Sequence, residues 1–150
     1  MAPKLRLLVD TNVVLDVLTK REPHYATSAA VWALAEQGQI DGLLAAHSVT
    51  TIHYLVAKYL DHQRANLTIT RLLQVFEAAP VDQSVLLKAL TLGWKDFEDA
   101  VQMAAALNSQ ADYLVTRNPK DFKDELVRVV QPGDVLALYS TSGTVRGPYT

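Results

Sequence analysis

The chain has 150 residues, of which 49% are hydrophobic and 20% are charged, a balance typical of one globular domain with a substantial core. It contains no cysteine, which excludes disulfides, a thiol nucleophile and cysteine-ligated zinc. The formal net charge of −2 gives no global attraction for nucleic acid, so such binding would depend on a local patch or on metal ions. No apolar stretch approaches the roughly 20 residues of a membrane span, and a signal-peptide pattern is missing. We therefore expect a cytoplasmic protein with no membrane partner.

The first half of the chain predicts two strands and four helices. In chain order they are a strand over Leu5–Asp10, helices over 13–19 and 24–37, a strand over Leu43–Ala46 after a turn at Asp41–Gly42, a helix capped by Ser48 or Thr50, and a helix over 66–77. The helices are indicated by apolar residues spaced three and four apart.

The second half continues the alternation of strands and helices. It predicts a strand over Ala79–Asp82, helices over 83–93 and 96–108, a strand over Asp112–Thr116, a turn over 117–122 and a strand over Val127–Val130. Such alternation favours βαβ units, hence a parallel sheet with helices on both faces. The last residues, 140–150, are rich in Ser, Thr and Gly, and we expect them to be mobile.

The most informative segment is LRLLVDTNVVLDVL, residues 5–18. An apolar strand ends abruptly at Asp10, Thr11 and Asn12 follow, and a helical pattern then begins. In open parallel sheets the ligand crevice lies at the carboxyl ends of the strands, so Asp10 is placed where chemistry usually occurs. The alternative is that Asp10 or Asn12 only caps the helix.

Further polar groups are expected at the same edge of the sheet. Asp96 and Asp99 open the late helix, three residues apart and therefore on one face, while Asn118 and Asp121 follow the strand DYLVT. Carboxylates gathered without basic residues between them repel, so one takes a proton or a cation lies among them. Mg²⁺ and Mn²⁺ suit such an all-oxygen site.

Each of these groups also has a purely structural interpretation. Asp96 and Asp99 could form a capping box at the start of their helix. Asn118 begins an Asn-Pro turn, which Asp121 could cap. Arg117, which follows the strand-end Thr, could contact a phosphate or could form a surface salt bridge.

The combined pattern resembles the PIN domain family over roughly residues 5–122. The resemblance rests on LLVDTNVVLDVL and on DFEDAVQMAAALNSQADYLVTRNPKDF, and the stretch REPHYATSAAVWALAEQGQI resembles the toxin-like branch of that family. It implies a three-layer α/β/α fold with a mostly parallel central sheet. The PIN-like domain would span residues 1–131, with a C-terminal extension over 132–150.

The resemblance also implies an activity and a set of site residues. PIN proteins of this branch are Mg²⁺- or Mn²⁺-dependent ribonucleases that cut single-stranded RNA, and many are homodimeric toxins paired with an antitoxin protein. Asp10 matches the first metal-binding acid, Asp99 matches the third, and Asp96 adds a nearby carboxylate. Thr11 and Asn12 match the polar residues beside the first acid, Asn118 falls where many relatives have a fourth Asp, and Asp121 could partly replace it.

One family acid is missing, which keeps other functions open. The matching position is about Thr51, and no acid occurs between Asp41 and Asp61. A degenerate PIN scaffold that binds RNA or protein without catalysis is therefore one alternative. A haloacid-dehalogenase-like phosphatase is a second, but that chemistry needs a second Asp two residues after the first, where this chain has Asn12.

Overall fold

The computed structural model of the protein describes residues 3–123 and 125–141, in which strands and helices alternate. The strands are β1 (Arg6–Val9), β2 (Asp41–Ala45), β3 (Glu77–Ala79), β4 (Tyr113–Val115) and β5 (Arg128–Val130). The helices are α1 (Thr11–Leu18), α2 (Tyr25–Glu36), α3 (Ala46–Tyr59), α4 (His62–Val75), α5 (Gln83–Leu92), α6 (Phe97–Asn108) and α7 (Pro132–Thr141), with a short 3₁₀ turn at Pro119–Asp121.

The five strands form one parallel sheet in the order β3-β2-β1-β4-β5. After β1 the chain builds the sheet outward on one side through β2 and β3, and then returns to add β4 and β5 on the other side. The boundary between β1 and β4 is therefore a topological switch point, and in open α/β sheets ligands bind outside the carboxyl ends of the strands at such a point. The predicted parallel sheet is confirmed.

Two hydrophobic clusters cover the two faces of the sheet. Successive strand side chains point to opposite faces, so Leu7 and Val9 belong to one cluster and Leu8 belongs to the other. The first cluster includes apolar residues of α1, α2, α3, α4 and α7, while the second includes those of α5 and α6. The result is the three-layer α/β/α architecture that was expected.

The boundaries near β2 differ from those predicted. Asp41–Gly42 belongs to β2 rather than to a turn, because Gly42 pairs with Leu7 across the sheet. Neither Ser48 nor Thr50 caps α3: the helix already begins at Ala46, and the hydroxyl of Thr50 donates a hydrogen bond to the carbonyl of His47.

The helix α7 was not predicted. It packs into the first cluster through Val135 and Tyr139, which are 0% and 5% exposed. Its first turn is closed by Asp134, whose carboxylate accepts a hydrogen bond from the backbone N–H of Gln131 at 2.9 Å. The last part of the expected mobile tail, residues 142–150, lies outside the described residues. Within the part of the chain that is described, no helix has the length and apolar character to cross a bilayer.

Replacing Gly42 by alanine tests the packing between β2 and α4. A Cβ atom at Gly42 would lie 2.6 Å from Cδ1 of Phe76, whose ring is buried. We expect Gly42→Ala to lower the free energy of unfolding by about 1–3 kcal/mol, measured by urea denaturation, because the ring must shift in a filled core. Gly133→Ala is the control, since its Cβ would meet only Thr27 at 4.0 Å. Equal midpoints for Gly42→Ala and the parent would contradict this packing.

Candidate active site at the carboxyl edge of the sheet

Asp10 lies at the switch point and is almost completely buried, with 5% of its surface exposed. Its Oδ1 accepts a hydrogen bond from Nε2 of Gln102 at 2.8 Å, and its Oδ2 accepts one from the hydroxyl of Thr116 at 2.7 Å. Asp10 occupies the N-cap position of α1 but makes no side-chain capping bond. The interpretation of Asp10 as a simple helix cap is therefore wrong.

Two donors from separate elements hold this carboxylate. A buried charge is costly unless hydrogen bonds replace its lost hydration, and bonds to an ionised acceptor are the stronger kind. Gln102 comes from α6 and is fully buried, while Thr116 follows β4 and is also fully buried. The donors fix the position of Asp10 and leave its lone pairs only partly used.

Gln102 and Thr116 were not among the predicted site residues. The available signal was that Gln102 is a polar residue in the otherwise apolar run of α6. It also lies three residues after Asp99, so the two share a face of the helix. Since Gln102 reaches Asp10, that face of α6 looks toward the end of β1.

Asp96 and Asp99 stand at the amino end of α6, as predicted. Oδ1 of Asp96 accepts a hydrogen bond from the backbone N–H of Asp99 at 3.1 Å, which confirms the capping role of Asp96. Burial raises the pKa of Asp99 to about 7, and the charges of Asp96, Asp10 and Asp121 add to the increase. The expectation that these acids lie close enough to affect one another's ionisation agrees with the raised pKa of Asp99.

Two further titratable residues border the site. Burial raises the pKa of Glu98, with added contributions from the charges of Asp96 and Asp10. His47 is at the start of α3, beside the carboxyl end of β2, and burial lowers its pKa although the charge of Asp10 acts in the opposite direction. Neither residue was predicted, because their proximity to Asp10 depends on how α3 and α6 pack.

Thr11 and Asn12 begin α1 directly after Asp10. The hydroxyl oxygen of Thr11 and the amide oxygen of Asn12 are inaccessible and have no hydrogen-bond partner among the described residues. Buried polar atoms without partners cost free energy, and they are unusual enough to mark a place where a ligand or water would bind.

Arg117 and Asn118, two further predicted site residues, lie in the turn after β4. The backbone N–H of Asn118 donates a hydrogen bond to the hydroxyl of Thr116 at 3.2 Å, so the turn is tied to a direct partner of Asp10. Nε of Arg117 lies 2.9 Å from Oδ2 of the buried Asp16, although the contact lacks hydrogen-bond geometry. Arg117 therefore forms an ion pair, as the structural alternative expected, but with a fully buried carboxylate rather than at the surface. Its contact with a substrate phosphate stays a prediction.

The side-chain oxygens near Asp10 suit a cation that keeps several water ligands better than a cation surrounded entirely by protein ligands. Within residues 3–123 and 125–141, no group of three or more Asp, Glu or His side chains is arranged so that it could hold a metal ion. On α3 the hydroxyl of Thr51 donates to the carbonyl of His47 at 3.3 Å, and the helix contains no carboxylate. Asp10 and Asp99 remain, and Mg²⁺ is commonly held by one or two carboxylates together with waters and substrate phosphates.

Comparison with known proteins agrees with this geometry. The family model described as "PIN domain" matches residues 6–120. The chain belongs to the PIN domain family. The resemblance predicted from LLVDTNVVLDVL and DFEDAVQMAAALNSQADYLVTRNPKDF is confirmed.

The chain is similar to several proteins over nearly its whole length. Ribonuclease VapC1 from Aquifex aeolicus (strain VF5) is 23% identical over 141 residues, which covers 91% of this chain and 96% of the relative. VapBC2 from Rickettsia felis, solved bound to a promoter DNA fragment, matches with a TM-score of 0.65 at 16% identity, over 85% of this chain and 98% of that one. A toxin–antitoxin complex from Klebsiella pneumoniae matches with a TM-score of 0.64 at 23% identity, over 84% and 97%. These structures share the PIN fold.

The raised pKa of Asp99 predicts how stability depends on pH in metal-free buffer. Between its ordinary value of 3.8 and about 7, the folded protein keeps a proton that the unfolded chain releases. The free energy of unfolding should therefore fall as pH rises through this window, by about 1–2 kcal/mol once the partial exposure of Asp99 is allowed for. Asp99→Asn should remove this fall and make the protein more stable than the parent at pH 8.

The matched control is Asp41→Asn, at the amino end of β2 and so at the opposite edge of the sheet. This variant should keep the fall in stability with pH. Denaturant unfolding with EDTA at several pH values measures the effect. An Asp99→Asn variant with the same pH profile as the parent would show that neither burial nor the neighbouring charges raise the pKa of Asp99.

Proposed function

We propose that this protein is a ribonuclease of the PIN type that cleaves single-stranded RNA with Mg²⁺ or Mn²⁺. One observation supports this most strongly: Asp10, held at the switch point by Gln102 and Thr116, shares one negative electrostatic field with Asp96 and Asp99 at the start of α6. Such a field attracts a divalent cation, which relieves the repulsion among the acids and can bring a phosphate with it.

The residues of the chain would divide the work as follows. Asp10 and Asp99 hold the cation, with Asp96 adding charge, and Asn118 orients water beside them. Thr11 and Asn12, directly after Asp10, have buried oxygens without a partner among the described residues, and these could bind water beside the cation. A bound divalent cation supplies the means to activate water and to stabilise the leaving oxygen of a phosphodiester. Gln102 and Thr116 keep Asp10 in place, so that this carboxylate need not reorganise during the reaction.

The relatives support a more specific biological role. The Aquifex relative is named a ribonuclease, and the Klebsiella structure is a toxin–antitoxin complex. We propose that this chain is likewise the toxin of a toxin–antitoxin pair in the cytoplasm, with an antitoxin protein as its partner and a homodimer as its assembly.

A degenerate PIN scaffold is the second candidate. It is favoured by the lack of a three-ligand metal group among the described residues and by Thr51, whose hydroxyl is bonded within its own helix. Such a scaffold would bind RNA or a protein without cutting. A haloacid-dehalogenase-like phosphatase is disfavoured, because the amide of Asn12 cannot serve as the general acid of that reaction.

An RNA cleavage assay distinguishes these possibilities. The parent should cut single-stranded RNA with Mg²⁺ or Mn²⁺ and should be inactive in EDTA. Asp10→Asn should cut about 100-fold more slowly or worse, the order expected when a group that stabilises the transition state is removed. Asp41→Asn is the matched control, since Asp41 makes only a partly exposed contact with Arg6 at 3.8 Å, and such pairs contribute little.

The outcomes are distinct once thermal unfolding has shown that the variants fold. Equal cleavage by Asp10→Asn and the parent would reject the metal-site mechanism. RNA binding without cleavage by the parent, with both ions, would establish the scaffold instead.

A further inference from the structure

A cleft beside the acids contains three lysines. Its cavity has a volume of about 270 Å³ and lies between the segment that leads into α6 and the turn after β4. Asp96, Asp99 and Asp121 line it, and so do the lysines at positions 95, 120 and 123. Three of the seven lysines of the chain therefore line the same cleft as Asp96 and Asp99.

These lysines come from two separate parts of the chain. Lys95 precedes α6, while Lys120 lies in the 3₁₀ turn and Lys123 follows it. All three are exposed. The ion pairs between described residues all involve arginine, so these ammonium groups are not engaged by a carboxylate of the described chain. Positive charge at the rim of an acidic site suits a ligand that is itself a polyanion.

A second cleft continues the first. It has a volume of about 440 Å³ and is lined by Arg117, Asn118, Gln131 and two residues of the first cleft, Lys120 and Asp121. The shared residues make the two clefts one continuous surface around the turn after β4. An extended strand lying along this surface would pass Asp99 and would meet cationic side chains on both sides of it.

An aromatic side chain lies at one end of this path. Trp94 lines the first cleft and packs edge-to-face against Phe122, with ring centroids 5.9 Å apart. Single-stranded nucleic acids are commonly held by cations that follow the backbone and by aromatic rings on which bases stack. The cleft offers both features, although the protein as a whole has a net charge of −2.

We propose that the joined clefts are the RNA path of this protein, with Lys95, Lys120 and Lys123 binding the phosphates beside the scissile one and Trp94 stacking on a base. This proposal rests on the proposed ribonuclease function. The acids and the net negative charge of the protein both repel RNA. The three lysines would offset this repulsion locally, where the RNA strand passes the acids.

The salt dependence of RNA binding tests the path. Binding of a short fluorescently labelled single-stranded RNA is measured in the Asp10→Asn background, in which we expect cleavage to be too slow to deplete the RNA during the measurement, at fixed Mg²⁺ and increasing KCl. Each lysine that binds a phosphate contributes up to about 0.7 to the slope of log affinity against log salt. Replacing the three cleft lysines by alanine should flatten the slope by up to about 2 and weaken binding on the order of tenfold or more at low salt.

The matched control replaces Lys20, Lys58 and Lys88, which are exposed elsewhere and change the net charge by the same amount. This variant should keep the slope of its parent. In a Trp32→Phe background Trp94 is the only tryptophan, so its fluorescence should change when RNA binds.

The results separate the path from the function. If the wild-type protein cleaves RNA and the cleft variant binds with the same slope and affinity as its parent, the path is overturned and the ribonuclease function stands. If the two triple variants lose binding equally, only net charge matters and the path is again overturned. If RNA is neither bound nor cut, both proposals fail.

Discussion

The pair of hydrogen bonds that holds the Asp10 carboxylate is the interaction on which the rest of the site depends. It joins the end of β1 to α6 through Gln102 and to the end of β4 through Thr116. The switch-point topology brings these three elements together, and the register of β1 against β4 places Asp10 beside the strand end that precedes Thr116. Because Asp10 is buried with its oxygens bonded, its carboxylate has a fixed position beside the acids at the start of α6.

That arrangement stores unfavourable electrostatic energy in the metal-free protein. Asp99 experiences burial and the charges of three other acids, and the Asp96 side chain is committed to capping α6. A fold selected only for stability would avoid such a cluster, since like charges held close together oppose folding. Proteins commonly tolerate such repulsion at functional sites, where it lowers the stability of the fold but favours the binding of a ligand. A bound cation would reduce the repulsion among these acids, and so would the positive charges of the lysines in the adjoining cleft.

Much of the architecture could be predicted because it depends on local patterns. Apolar runs and helical spacing located β1, β2, β4, β5 and most helices, whereas β3 was placed too late, over Ala79–Asp82. The alternation of strands and helices implied a parallel sheet whose carboxyl edge would gather Asp10, Asp99 and Asp121. The start of α3 was placed too late because Ser and Thr are good caps, whereas the chain enters that helix directly from β2 at Ala45. Helix α7 was missed because its burial depends on packing against α2, which no local pattern reports.

The details of the site could not be predicted for a related reason. Gln102 reads as one polar residue in an apolar helix, and only the tertiary structure shows its amide donating to Asp10. In the sequence Lys120 and Lys123 form a small basic group that could flank an RNA path or could simply be solvated surface charge, and Lys95 is far from them along the chain. The sequence does not show that the segment before α6 and the turn after β4 share a cleft. Asp96 has a structural and an electrostatic role at once, since its carboxylate caps α6 and its charge also raises the pKa of Asp99.

Acids from separate elements should together bind one divalent cation beside Asp10. Anomalous scattering from crystals soaked in Mn²⁺ would locate that cation. We expect a peak between the carboxylates of Asp10 and Asp99, at oxygen–metal distances of roughly 2.0–2.3 Å. A fully soaked crystal with Mn²⁺ bound only elsewhere, and with these two carboxylates unoccupied, would contradict it.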